Sequence, residues 1–184
     1  DLVPYVDLGV TFDHAACLRE VMAISDRFVV YKSDPKYSVT HWRGIALQAL
    51  DGDETHAATM PGDDFGNQAR WMPTRAASDC PTVWALVQRL VDTTRTRNIA
   101  VLQLDPGSKI AVHRDGEGPY VMRSVNVALN MPEGCAFWND VRPDGTHHAY
   151  SRRVPFVPGS TMLVNVGKQH YVDNQSSEPR LHLI

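Results

Sequence analysis

From Ile99 onward the sequence is a series of short apolar or alternating runs cut apart by turn-forming peptides. The runs are IAVLQL (99–104), KIAVH (109–113), RSVNVALN (123–130), GCAFWN (134–139), TMLVNV (161–166), HYVDN (170–174) and RLHLI (180–184). Between them lie DPGS, MPEG, RPDG, VPGS and NQSSEP. Proline has no N–H to donate and glycine admits left-handed backbone, so these peptides stop helices and reverse strands. Each run has the length of a strand and falls short of an ordinary helix. Many short strands with regular reversals leave a sandwich or a closed barrel as the architecture. Two earlier runs, RFVVYK (27–32) and WRGIALQAL (42–50), read as strands as well.

Two segments in the first half carry helical periodicity instead. In DHAACLREVMAIS (13–25), Leu18, Val21 and Met22 share a face and Asp13 suits the N-cap. In PTVWALVQRLVDT (81–93), Val83, Trp84, Leu86, Val87, Leu90 and Val91 recur at helical spacing, and Pro81 suits the first turn. The expected fold is mainly β with flanking helices, around a jelly-roll, cupin-like core. The 184 residues fit one domain, with 1–95 as helical and strand support and 96–184 as the jelly roll. Residues 51–78 are polar and aperiodic, and are expected to form a long loop that serves as a lid.

Composition excludes several classes. A hydrophobic content of 43% makes the chain globular rather than disordered. The net charge of −3 argues against a nucleic-acid partner or an anionic membrane surface. No apolar run is long enough to cross a membrane. The start, DLVPYVDLGV, has neither a basic region nor a long apolar one, so no secretory signal is expected. It also lacks a methionine, which fits residues preceding Asp1. Cys17, Cys80 and Cys135 are odd in number and far apart, as free thiols of a reducing cytoplasm would be, and offer no Cys-rich zinc site. Oligomeric state is left open, a homo-oligomer included.

The chemistry begins at VHRDGEG (112–118). Side chains at i and i+2 of a strand point the same way, so His113 and Asp115 can reach one ion. In a chain with eight histidines, a His-x-acid triplet arises about once by chance, and Asp-Gly after a strand is ordinary turn chemistry. An iron site of the two-His-one-carboxylate type needs a third ligand and an open face. His170, in NVGKQHYVDN, supplies the candidate. NQSSEP then returns the chain, which would set His170 and Arg180 on neighbouring strands. A guanidinium there could hold the far carboxylate of a metal-chelating keto acid.

LDPGSKIAVHRDG, RSVNVALNMPEGC and VPGSTMLVNVGKQHYVDNQSSEPRLHLI together resemble the core of the aspartyl/asparaginyl β-hydroxylase family. These are Fe(II)- and 2-oxoglutarate-dependent oxygenases on a double-stranded β-helix, and they include free amino-acid hydroxylases such as proline cis-4-hydroxylase. The resemblance covers about residues 99–184. It implies His113, Asp115 and His170 as iron ligands, Arg180 as partner of the distal carboxylate of 2-oxoglutarate, and O2 as oxidant. Asn126 falls where a family histidine can contact the other carboxylate, which is a departure. Related halogenases replace the carboxylate ligand with a small residue, so Asp115 implies hydroxylation.

Other positions have competing readings. His41 or Arg43 could hold a substrate carboxylate with Trp42 shaping the pocket, or His41-Trp42-Arg43 is an amphipathic edge. Arg123 could bind an anionic substrate at the mouth of the site or be solvated. His182 shares strand parity with Arg180 and either faces the cavity or is a satisfied interior histidine. Gln103 could line the cosubstrate pocket. His147-His148 and Arg152-Arg153 read as surface features.

The functional expectation is a dioxygenase that hydroxylates an unactivated C–H of a free amino acid or amino-acid-derived metabolite, with release of succinate and CO2. The alternatives are a peptidyl Asp/Asn-type hydroxylase, a cupin-like metal protein that does not use 2-oxoglutarate, and a jelly-roll module without catalysis.

Overall fold

The computed structural model describes residues 3–30, 41–57, 67–115 and 123–184. The elements are β1 (Tyr5–Asp7), α1 (His14–Ala23), β2 (Val29–Val30), β3 (Trp42–Leu50), β4 (Trp71–Pro73), α2 (Arg75–Asp79), α3 (Pro81–Leu90), β5 (Ile99–Leu104), β6 (Ser108–His113), β7 (Ser124–Ala128), β8 (Cys135–Asn139), β9 (Arg152–Arg153), β10 (Thr161–Val164), β11 (His170–Asn174) and β12 (Arg180–Leu183).

The strands form two antiparallel sheets. The larger runs β1-β10-β7-β12-β5-β3-β2 with β4 also on β3, and the smaller runs β6-β11-β8-β9. From β5 to β8, and again from β10 to β12, each successive strand lies in the opposite sheet. That alternation is the double-stranded β-helix, and it explains why every turn between these runs carries proline or glycine. The expected adjacency of His170 and Arg180 is corrected here. β11 pairs with β6 and β8, whereas β12 pairs with β5 and β7. The NQSSEP turn crosses from one sheet to the other, so the two residues face each other across the sandwich rather than along a ladder.

Strand parity divides the core in two. Even-numbered Ala100, Leu102, Leu104, Ala128, Met162 and Val164 of the large sheet meet Ile110, Phe137 and Val172 of the small one. Odd-numbered Ile45, Leu47, Val101, Val127, Leu181 and Leu183 face the opposite way, onto Cys17 and Val21 of α1 and Val83, Leu86 and Val87 of α3. The helices are held by their ends. Asp13 Oδ1 accepts the Ala16 N–H at 2.9 Å, as its N-cap position requires. Glu20 of α1 accepts the N–H groups of Thr82 and Val83 at 2.9–3.1 Å, placing a carboxylate at the positive end of α3.

Two expectations need revision. Helix α3 ends at Leu90 rather than at residue 93, because Val91 turns to extended backbone. The stretch 51–78 is not one long loop. It carries β4, paired with Gln48–Leu50, and α2, whose Ala76 and Ala77 are buried. Its residues 58–66 lie outside the described residues, as do residues 31 and 32 of the strand expected at 27–32.

Candidate metal centre

β6 and β11 run side by side with His113 opposite His170, and the ladder is irregular between His170 and Val172. An irregularity of that kind re-aims a side chain out of strict alternation. Asp115 lies just past the end of β6, where its N–H donates to the carbonyl of Val166 at 2.8 Å. The main chain thereby brings three donors to one point: one ligand atom each from His113, Asp115 and His170, all within 4.8 Å of one another.

The two imidazoles are held in the form that binds a cation. Each can only donate to a carbonyl, and each does so through Nδ1: His113 to Ala111 and His170 to Lys168, both at 2.8 Å. With Nδ1 so engaged, Nε2 is the nitrogen that each ring presents to a metal. His113 Nε2 stands 3.5 Å from Asp115 Oδ1. The His170 ring stacks on Phe137 with centroids 5.5 Å apart and planes within 5°. Burial, and secondarily His113, push the pKa of His170 down to about 4, so it remains neutral at physiological pH. Of the three, the Asp115 side chain is the most exposed, at 46%.

A cavity of about 100 Å³ extends from these donors between the sheets. Trp42, Asn126, Arg180 and His182 line it from the large sheet, and Phe137 and Val172 from the small one. Arg180 is 5% exposed. Among the described residues its cation has no carboxylate partner, its Nε has no acceptor, and Nη2 donates to His182 Nδ1 at 2.9 Å. Burial alone pulls its pKa down to about 9. A buried cation that faces a cavity, with no carboxylate beside it among the described residues, is suited to hold an anion. The donors therefore fit a ferrous ion with an open face, and the cavity fits a chelating diacid whose second carboxylate meets Arg180.

Other candidates fall elsewhere. Gln103 and Arg43 are odd-numbered and paired in register, so they lie on the face turned away from the cavity. There Asp105 accepts Gln103 Nε2 at 2.6 Å and Arg43 Nη2 at 3.1–3.2 Å. His41 is exposed, 3.9 Å from the same carboxylate. Arg123 is exposed and borders a second cavity, lined by Val87 and Leu90 of α3 and by Val125 and Val127. Residues that the sequence did not single out are Phe137 beneath His170, the Val166 carbonyl that holds Asp115, and Ser124, which accepts from Asn126 Nδ2 at 3.3 Å. Phe137 pairs in register with Val172, so an inward β8–β11 register was the signal that would have found it.

A model of the aspartyl/asparaginyl β-hydroxylase family matches residues 15–184. The chain belongs to that family. Membership makes it an oxygenase, with iron, 2-oxoglutarate and O2 as the family's metal and cosubstrates. No curated protein matches the chain. Among solved structures, this β-hydroxylase family member is similar to a Pseudomonas putida prolyl-4-hydroxylase, with 13% identity and a TM-score of 0.56 over 98% of this chain and 89% of that one. A Burkholderia pseudomallei oxidoreductase of the 2OG-Fe(II) oxygenase family gives 17% identity and a TM-score of 0.57 over 98% and 83%. Those likenesses establish the shared jelly-roll fold.

Proposed function

We propose that this β-hydroxylase family member hydroxylates an unactivated C–H bond of a free amino acid or an amino-acid-derived metabolite. The observation that carries the proposal is the buried Arg180 cation, unpaired among the described residues, in one cavity with the His113-Asp115-His170 donors. A metal protein that took no diacid would have no use for that cation, which is costly to bury alone.

In this reading His113, Asp115 and His170 hold Fe(II), and Arg180 binds the distal carboxylate of 2-oxoglutarate. Iron and 2-oxoglutarate together supply the activation of O2, with the cosubstrate leaving as succinate and CO2 while one oxygen atom enters the substrate. The protein's part is placement. The Nδ1–H bonds of both histidines fix ring orientation, and Phe137 packs against the His170 ring. Trp42, Leu102 and Val172 form an apolar wall of the cavity. The partly exposed Asp115 marks the side from which a substrate reaches the ion.

The test is anaerobic addition of Fe(II) and 2-oxoglutarate, followed by a screen of amino acids for stimulated succinate release. A visible charge-transfer band and stimulation by a free amino acid support the proposal. Stimulation only by Asp-, Asn- or Pro-containing peptides assigns a peptidyl substrate instead, and absence of the band removes the 2-oxoglutarate assignment.

A further inference from the structure

The second cavity, of about 290 Å³, lies between the end of α3 and strands β5, β7 and β12. The helix stops at Leu90 and Val91 turns to extended backbone, so the last helical turn and the chain leaving it form one wall. The lining is largely aliphatic: Leu90 and Val91 on the helix side, Val125, Val127 and Leu183 on the sheet side. Leu90, Val91 and Val125 are only partly buried, and no aromatic ring lines the cavity among the described residues. An apolar concavity with few polar groups is the usual form of a small-molecule site.

The far wall is fixed by its own hydrogen bonds. The Thr96 carbonyl accepts from Gln48 Nε2 at 2.6 Å and from Gln68 Nε2 at 2.8 Å. Thr96 Oγ1 donates to the Asp92 carbonyl and Asn98 Nδ2 to the His56 carbonyl, both at 2.9 Å. These polar groups are therefore engaged within the protein. Arg123 is different. Strand parity sets it on the face of Val125 and Val127, and it is exposed at the edge of the cavity. Among the described residues no carboxylate lines the cavity with it. One cation beside aliphatic walls complements the two ends of an aliphatic carboxylate, and a guanidinium matches a carboxylate bidentately.

We propose that this cavity is a binding site for an aliphatic monocarboxylate, its chain between α3 and the large sheet and its carboxylate on Arg123. An apolar cavity of about 150 Å³ takes one benzene molecule, so this one has room for a chain of roughly eight carbons. Ser124 and Ile184 line both cavities and form the partition between them. The proposal does not depend on what the metal cavity takes.

The test is calorimetric binding of octanoate to the protein loaded with Zn(II), with and without saturating 2-oxoglutarate. The expected affinities are equal, because Arg180 is not the partner. Each buried methylene is worth about fourfold, so butanoate should bind more than about tenfold more weakly. Octanol should bind about fivefold more weakly, which is what one exposed ion pair supplies. Arg123→Gln should remove the difference between acid and alcohol. Val91→Phe fills the cavity and should abolish binding of both, while its Zn(II) titration stays unchanged and reports an intact fold. Arg123 is exposed, so its variant tests the anionic half even where the filled cavity perturbs folding. No binding of octanoate at millimolar concentration, equal binding of octanol, or undiminished binding in Val91→Phe overturns the inference. Loss of octanoate binding on adding 2-oxoglutarate places the acid in the metal cavity and overturns it too. Sedimentation that shows the unaltered protein self-associating and Val91→Phe monomeric gives the cavity to a second copy of the chain, with the same consequence.

Discussion

His113 and His170 each spend Nδ1–H on a main-chain carbonyl two residues back, and this decides what their outer nitrogens can do. Among the described residues, Asp115 is anchored through its backbone N–H, and its side chain, 3.5 Å from His113 Nε2, stays partly in solvent. Its removal should therefore separate metal binding from folding. Asp115→Ala is expected to leave stability within about 0.5 kcal/mol, as for other exposed positions. Metal affinity should fall by more than the roughly 10–100-fold that loss of a mere supporting partner produces. Metal titration and chemical denaturation of the same variant check both halves. Acid sensitivity is also set at single residues. Burial first, and then Arg180, hold His182 well below its ordinary value of 6.5. The folded state refuses a proton that the unfolded chain accepts, so this contribution to stability is complete above pH 6.5 and is lost as pH falls below it. One such group adds a slope of about 1.4 kcal/mol per pH unit. Denaturation of the metal-free protein across that range should show a slope that is shallower by this amount in His182→Asn.

At the scale of elements, Asn174 at the end of β11 does what no backbone ladder can do across a sheet change. Its Nδ2 donates to the carbonyls of Leu104, Asp105 and Glu178 at 2.9–3.1 Å, and Oδ1 accepts the Ser176 N–H at 3.1 Å. It is fully buried and ties the β5–β6 corner to the turn before β12. Asn174→Ala strips partners from several buried carbonyls and should destabilise the fold by about 2–4 kcal/mol. Urea denaturation measures this, and a loss below about 1 kcal/mol would show that water replaces the amide. The same scale shows what could be read from the sequence. Strands bounded by proline and glycine, such as 99–104 and 170–174, fall where their patterns put them. β1, β4 and β9 are two or three residues long and have no period to detect, and β4 ends in a proline that only an edge tolerates. The convergence of residues 113, 115 and 170 followed from strand parity plus one later histidine. Gln103 falls on the outward face of β5, a strand buried along its whole length, and Arg43 pairs with it from β3 on that same face, as the amphipathic-edge reading had it. A strand buried on both faces does not announce which face is which.

On the scale of the molecule, the site is divided between the two sheets. His113 and His170 belong to the small sheet, and Arg180 and His182 to the large one. A metal ion alone cross-links strands within one sheet. A keto diacid, chelated at one end and held by Arg180 at the other, would bridge the two sheets and be bound only by their assembled form. Ligands that bind the folded state alone stabilise it by mass action, by about 2.7 kcal/mol at one hundred times the dissociation constant. For a domain of this size that is a rise of roughly 5–10 °C in Tm. With Zn(II) in the metal site, saturating 2-oxoglutarate should produce such a rise beyond that of the metal alone. 2-Oxovalerate, which has the same chelating end and no distal carboxylate, should produce a clearly smaller one. In Arg180→Leu the gap between the two acids should shrink sharply, because the charge that separates them across the sandwich is gone. Equal shifts in the unaltered protein would mean that the far end of the diacid never reaches the large sheet, and the cavity would then need a different occupant.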